Sequence, residues 1–95
     1  MKTKRVRFEK EYNGKKYLLV AFKRECFDHF VDVEIYTYNP KALLFKWDYV
    51  EGRGFSLKEF EDVEHGIQFV FSRYLEREAY REDSKEKWNN FCNKY

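Results

Sequence analysis

Tyr12-Asn13-Gly14-Lys15 decides how the first third of this chain folds. Asn-Gly between two β-rich runs favours a two-residue type I′ turn, because both turn positions need a positive φ. A turn at this point pairs Glu11 with Lys16, Phe8 with Leu19 and Val6 with Ala21. Val6, Phe8, Tyr17, Leu19 and Ala21 then share one face, while Arg5, Arg7 and Glu9 share the other with Leu18, Val20 and Phe22. The second strand is apolar on both faces, which places it inside a sheet rather than at its edge.

Working outward, His29 to Tyr38 alternates as a third strand, with Val31, Val33 and Ile35 on one face and Phe30, Asp32, Glu34, Tyr36 and Tyr38 on the other. Asn39-Pro40-Lys41 reads as a turn with proline pre-set for its second position. A fourth strand is predicted over 42–50, pairing Tyr38 with Leu43, Tyr36 with Phe45 and Glu34 with Trp47. Glu51-Gly52-Arg53-Gly54 breaks the alternation, and Ser56-Leu57-Lys58-Glu59 has the form of a capping box that opens a helix. Leu57, Phe60, Val63, Ile67, Val70, Phe71, Tyr74 and Leu75 recur at helical spacing and make one apolar stripe. Gly66 within it costs about 1 kcal/mol relative to alanine, which suggests close packing against another backbone.

Glu82-Asp83-Ser84 reads as a break, with Ser84 able to cap a second, short helix carrying Trp88, Phe91, Cys92 and Tyr95. An unbroken helix over 57–95 would be about 57 Å long, too long for one compact domain. The expected fold is therefore α+β: a four-stranded antiparallel sheet of two hairpins, packed by one long C-terminal helix plus a short terminal helix. All of 1–95 forms one domain, with the sheet over 4–50, the helix over 56–82 and the short helix over 84–95. The pattern leaves open which sheet face the helix covers.

A chain of 95 residues suits one domain. No apolar run approaches the ~20 residues of a membrane span, and the basic N-terminus has no apolar segment of signal length behind it, so a cytoplasmic, membrane-free protein is expected. Cys26 and Cys92 are too few for a disulfide framework. The unusual feature is aromatic: 10 Phe, 8 Tyr and 2 Trp exceed what a small core readily buries, which favours rings at interaction surfaces. Charge is also uneven. Net charge is +2, yet residues 1–24 hold nine Lys or Arg against Glu9 and Glu11, a local +7.

Catalytic constellations are absent from the pattern. Ser56 and Ser84 read as caps, Cys26 and His29 are not aligned as a thiol and base, and Cys92 sits on an apolar stripe that would bury it. The spacing of Cys26, His29, His65 and Cys92 matches no zinc finger or ribbon. Asp32, Glu34 and Asp48 could evoke a metal-dependent nuclease, but Asp48 points to the opposite face from the other two. No enzyme activity, metal or cofactor is expected.

Three candidate surfaces remain. Tyr36, Tyr38, Phe45 and Trp47, rimmed by Asp32 and Glu34, suit a protein partner with a basic surface. Arg5, Arg7, Lys10, Tyr12, Lys15, Lys16 and Tyr17 surround the first hairpin and suit single-stranded nucleic acid, cations on phosphates and rings on bases. Trp88, Phe91 and Tyr95 suit self-association as a homodimer. The expected function is a small non-enzymatic binding module. Its concrete form is a regulator or inhibitor of a larger host protein, of the kind encoded by phage or mobile elements, with a nucleic-acid-handling protein as the target. Richness in Lys, Asn, Tyr and Phe suits an AT-rich genome. The alternative is a single-stranded DNA- or RNA-binding protein. The order of elements, with Gly54-Phe55-Ser56-Leu57 opening the helix, resembles the small four-strand-plus-helix family of single-stranded-DNA-binding coactivators around the helix start, and that resemblance implies the same alternative.

Overall fold

The computed structural model describes residues 4–95. Its strands are β1 (Arg5–Tyr12), β2 (Lys15–Lys23), β3 (Phe30–Tyr38) and β4 (Trp47–Ser56), followed by one helix, α1 (Val63–Lys94). The strands pair antiparallel in sequence order, and α1 lies across one face, so the α+β class expected from the sequence holds. The basic start of the chain, Met1-Lys2-Thr3, lies outside the described residues.

The first hairpin follows from its turn. Asn13 and Gly14 have φ of 50° and 75°, the left-handed values that a type I′ turn requires. Glu11 pairs with Lys16, Phe8 with Leu19 and Val6 with Ala21, as the turn dictates. β2 is central, and its residues 17–21 are buried on both faces.

The second hairpin departs from the expectation in length and register. β4 runs over Trp47–Ser56 rather than 42–50, so Tyr38 pairs with Trp47 and Tyr36 with Tyr49, while Glu34 pairs with Gly52. Residues 39–46 form a loop closed by Asn39 N–H donating to the Lys46 carbonyl at 2.6 Å. Leu43, Leu44 and Phe45 therefore sit on an exposed loop and not on a strand. Glu51-Gly52-Arg53-Gly54 is strand, because side chains cross over both glycines. A Cβ at Gly52 would lie 2.9 Å from the Tyr49 hydroxyl, and one at Gly54 would lie 2.7 Å from Arg24 Nη2. The glycines clear room for neighbours instead of ending the strand. The register shifts between Ile35 and Tyr36: Ile35 faces Glu51 and Tyr36 faces Tyr49, which leaves Val50 as the extra residue of a bulge.

The helix begins six residues later than the capping box suggests. Ser56 closes a tight turn, its carbonyl accepting from Glu59 N–H and its hydroxyl from Lys58 N–H. Asp62 is the true N-cap, its carboxylate accepting from His65 N–H at 2.8 Å. Leu57 and Phe60 precede α1 yet still pack against the core. The break expected at Glu82-Asp83-Ser84 and the separate short helix over 84–95 do not occur. α1 continues to Lys94 as one 32-residue helix, about 48 Å long, and Lys87 bridges Asp83 one turn apart at 3.0 Å across that point.

The helix covers Leu19, Ala21, Val31, Val33, Ile35 and Phe55 with Ile67, Val70, Phe71 and Tyr74. Three of the sheet residues, Leu19, Val33 and Ile35, have no exposure at all. Gly66 lies flat against the Phe55 ring, so the close approach inferred from sequence is to a side chain and not to a backbone. Arg77 closes the last turn over the sheet by donating to Glu51 at 2.5 Å. Beyond it every residue of α1 from Ala79 onward is exposed. The helix simply outruns the sheet.

Candidate functional site

Because α1 takes the Val31, Val33 and Ile35 side, the opposite face of the sheet has no helix over it among the described residues. Alternation along each strand decides what that face carries. β1 contributes Arg5, Arg7 and Glu9, β2 contributes Lys16, Leu18 and Val20, and β3 contributes Asp32, Glu34, Tyr36 and Tyr38. The Val50 bulge reverses the alternation in β4, so Trp47 and Tyr49 join the β3 tyrosines.

All of these except Asp32 and Glu34 line one open groove of about 860 Å³. Its floor is Leu18 and Val20, buried under long neighbours rather than under a helix. One wall is aromatic. Tyr36 meets Tyr49 edge to face with centroids 5.6 Å apart, and Tyr38 meets Trp47 likewise at 5.4 Å. Leu44, Phe45 and Lys46 of the 39–46 loop extend that wall. The other wall is basic, with Arg5, Arg7 and Lys16, and Glu9 among them. The Lys16 ammonium lies 5.4 Å from the centre of the Tyr38 ring, so the two walls touch at that corner.

The acidic rim is neutralised within the same face. Arg24 grips Asp32 through two hydrogen bonds, Nε to Oδ2 at 3.1 Å and Nη2 to Oδ1 at 2.5 Å. Those bonds hold the Arg24 guanidinium charged, above its ordinary range. Glu34 accepts from Arg5 at 2.9 Å and from the Tyr36 hydroxyl at 3.1 Å. Burial, and then the bond to Glu34, push the Tyr36 phenol up from its usual value. Neither carboxylate stands free to steer a basic partner. Four cations line the groove against Glu9, so its local field is positive.

The residues expected around the first hairpin divide between two faces. Arg5, Arg7 and Lys16 enter the groove. Lys10, Tyr12 and Lys15 fall on the helix side by alternation, and Lys10 lies beside Glu64 and Gln68 of α1. Tyr17 is a core residue, packed against Phe71 at 5.3 Å and Tyr74 at 6.0 Å, so its ring is not free to stack on a ligand. Leu44 and Lys46 are groove residues that no candidate surface named, and Tyr49, which alternation from Phe45 and Trp47 puts at the end of the ring face, joins them.

A second surface is the overhanging end of α1. Trp88 stacks on Phe91 at 5.6 Å and Phe91 meets Tyr95 at 5.0 Å, all three exposed on one stripe. Cys92, expected to be buried, is exposed there as well. Among the described residues, no three His, Cys, Asp or Glu side chains gather as metal ligands, and no helix is long and apolar enough to cross a membrane. No protein-family model, curated protein or solved structure matches this chain.

Proposed function

We propose that the uncovered face of the sheet binds single-stranded nucleic acid. One observation carries this: the cations of β1 and β2 and the rings of β3 and β4 line the same groove. Single strands are held by such pairing of a positive track with aromatic platforms, since phosphates seek charge and every base has a face to stack. The neutralised rim removes the feature that favoured a basic protein partner.

A labelled single strand in fluorescence anisotropy should bind tightly at low salt and weaken as salt rises. If Arg5, Arg7, Lys16 and Lys46 all contact phosphates, log K should fall against log salt with a slope of about −2.8, at ~0.7 per contact. Charge reversal at Arg7 and Lys16 together should abolish binding. Trp47→Ala should cost about 2 kcal/mol, roughly thirtyfold in affinity, with little change in melting temperature because Trp47 lies outside the core. A wild-type protein that binds no strand at low salt overturns the proposal.

A second reading keeps a specific observation in its favour. Leu44 and Phe45 are 87% and 81% exposed beside the groove, which suits a protein partner such as a nucleic-acid-handling host enzyme regulated by this chain. Phe45→Asp should then release a defined protein partner from the still-folded domain.

The overhanging stripe of α1 supports self-association. Trp88 and Phe91 are 63% and 52% exposed on a stretch of helix that no other described residues cover, and a second copy would hide them. Phe91→Asp, or truncation after Asp83, should preserve the fold and yield a monomer by light scattering. A wild-type protein already monomeric at high concentration counts against a dimer.

A further inference from the structure

Resting on the single-strand reading above, we infer that the groove sorts its ligand into two rows, phosphates over β1 and β2 and two successive unpaired bases on the ring pairs of β3 and β4. The ring pairs are Tyr38 with Trp47 and Tyr36 with Tyr49, each formed by residues directly opposite on the two strands. Tyr36 and Tyr38 lie two positions apart on one strand, so the platforms are about 6.6–6.8 Å apart. That is twice the ~3.4 Å spacing of bases along one strand of a duplex. A stacked helix cannot place neighbouring bases on both platforms. An extended strand with its bases splayed apart can.

The cations bracket the two platforms. Lys16 lies across from Tyr38 on the neighbouring strand, at the first platform. Arg7 pairs with Val20, which pairs with Glu34, one row beyond the second platform. From Lys16 to Val20 is four residues of β2, about 13–14 Å, the length of two extended nucleotides at the platform spacing. Arg7 and Lys16 have no carboxylate within ion-pair distance among the described residues, whereas Arg5 is held by Glu34. Glu9 stands in the row between Lys16 and Arg7, across from Leu18, and repels a phosphate there. The phosphates are therefore gripped at the two ends of a dinucleotide unit, with Leu18 and Val20 as an apolar floor beneath the sugars.

The closing experiment compares three labelled probes by anisotropy: oligothymidylate, a sugar–phosphate strand of equal length without bases, and a blunt duplex. Oligothymidylate should bind at least tenfold tighter than either of the others. Tyr36→Ala and Trp47→Ala should weaken oligothymidylate while leaving the baseless strand unchanged, and Arg7→Glu should weaken both. In a Trp88→Phe variant, Trp47 is the sole tryptophan, and its fluorescence should be quenched by oligothymidylate but not by the baseless strand. Equal binding of the two strands would overturn the division into rows while leaving single-strand binding in place. Failure of all three probes would overturn the single-strand reading itself.

Discussion

Ile67→Asp should abolish cooperative thermal unfolding of this domain. Ile67 is 5% exposed on the sheet-facing side of α1, where it lines the groove between helix and β1 together with Phe8, Leu19 and Phe71. A carboxylate in that place loses its hydration among apolar core side chains, a penalty of several kcal/mol. A domain of this size holds roughly 5–15 kcal/mol in total, and the lost apolar contacts add to the charge. Circular dichroism across a temperature ramp should show no sharp transition. Tyr80→Asp, three-quarters exposed further along the same helix, should melt close to wild type. A cooperative transition in Ile67→Asp near the wild-type temperature would mean that α1 does not bury this stripe.

Gly66→Ala should destabilise the protein, against the usual sign for a helix interior. Alanine is favoured over glycine there by about 1 kcal/mol. Here the added Cβ would fall well inside van der Waals distance of Cε2, Cδ2 and Cζ of the Phe55 ring. That ring cannot drift freely, because Phe60 stands edge-on to it at 5.4 Å and Phe55 itself is paired to Val31 in the sheet. Overpacking of this kind costs about 1–3 kcal/mol and outweighs the gain in helix propensity. Urea titration should show a lower midpoint at unchanged slope. Phe55→Leu should make the double variant less destabilised than the two single costs added together, since the smaller side chain removes the clash. A Gly66→Ala protein more stable than wild type would refute the contact.

Local chemistry made the first hairpin readable at residue resolution. Asn13-Gly14 admits few turn geometries, and one register follows from it for all eight pairs of β1 and β2. The helical stripe was readable for a related reason: burial against a flat sheet imposes its own period, so Ile67, Val70, Phe71 and Tyr74 stand out among charged neighbours. The second hairpin had no such turn. Ala42 to Phe45 is apolar and resembles a strand, while Glu51 to Gly54 is polar and glycine-rich and resembles a loop, yet the structure assigns them the other way round. Core contacts across the sheet decide the matter, with Phe55 drawn against Val31 and Gly66. Similarly, Ser56 satisfies a capping pattern, but the chain must first carry Leu57 and Phe60 over the end of the sheet before Asp62 can start α1.

The order of elements, the pairing of β1 with β2 and the buried face of α1 were written in the sequence by itself, because each rests on residues near one another in the chain. The site was not. Sequence placed the cations of the first hairpin and the rings of the second on separate candidate surfaces, and included Tyr17, a core residue, among the contacts. Only the tertiary structure joined Arg7 and Lys16 to Tyr36, Tyr38 and Trp47, because their meeting depends on the pairing of β2 with β3 and on which sheet face α1 leaves bare. The Val50 bulge is the sharpest instance. One extra residue, left unpaired by contacts on either side of it, turns Trp47 and Tyr49 from the helix face to the open face, since strand side chains alternate with a period of two.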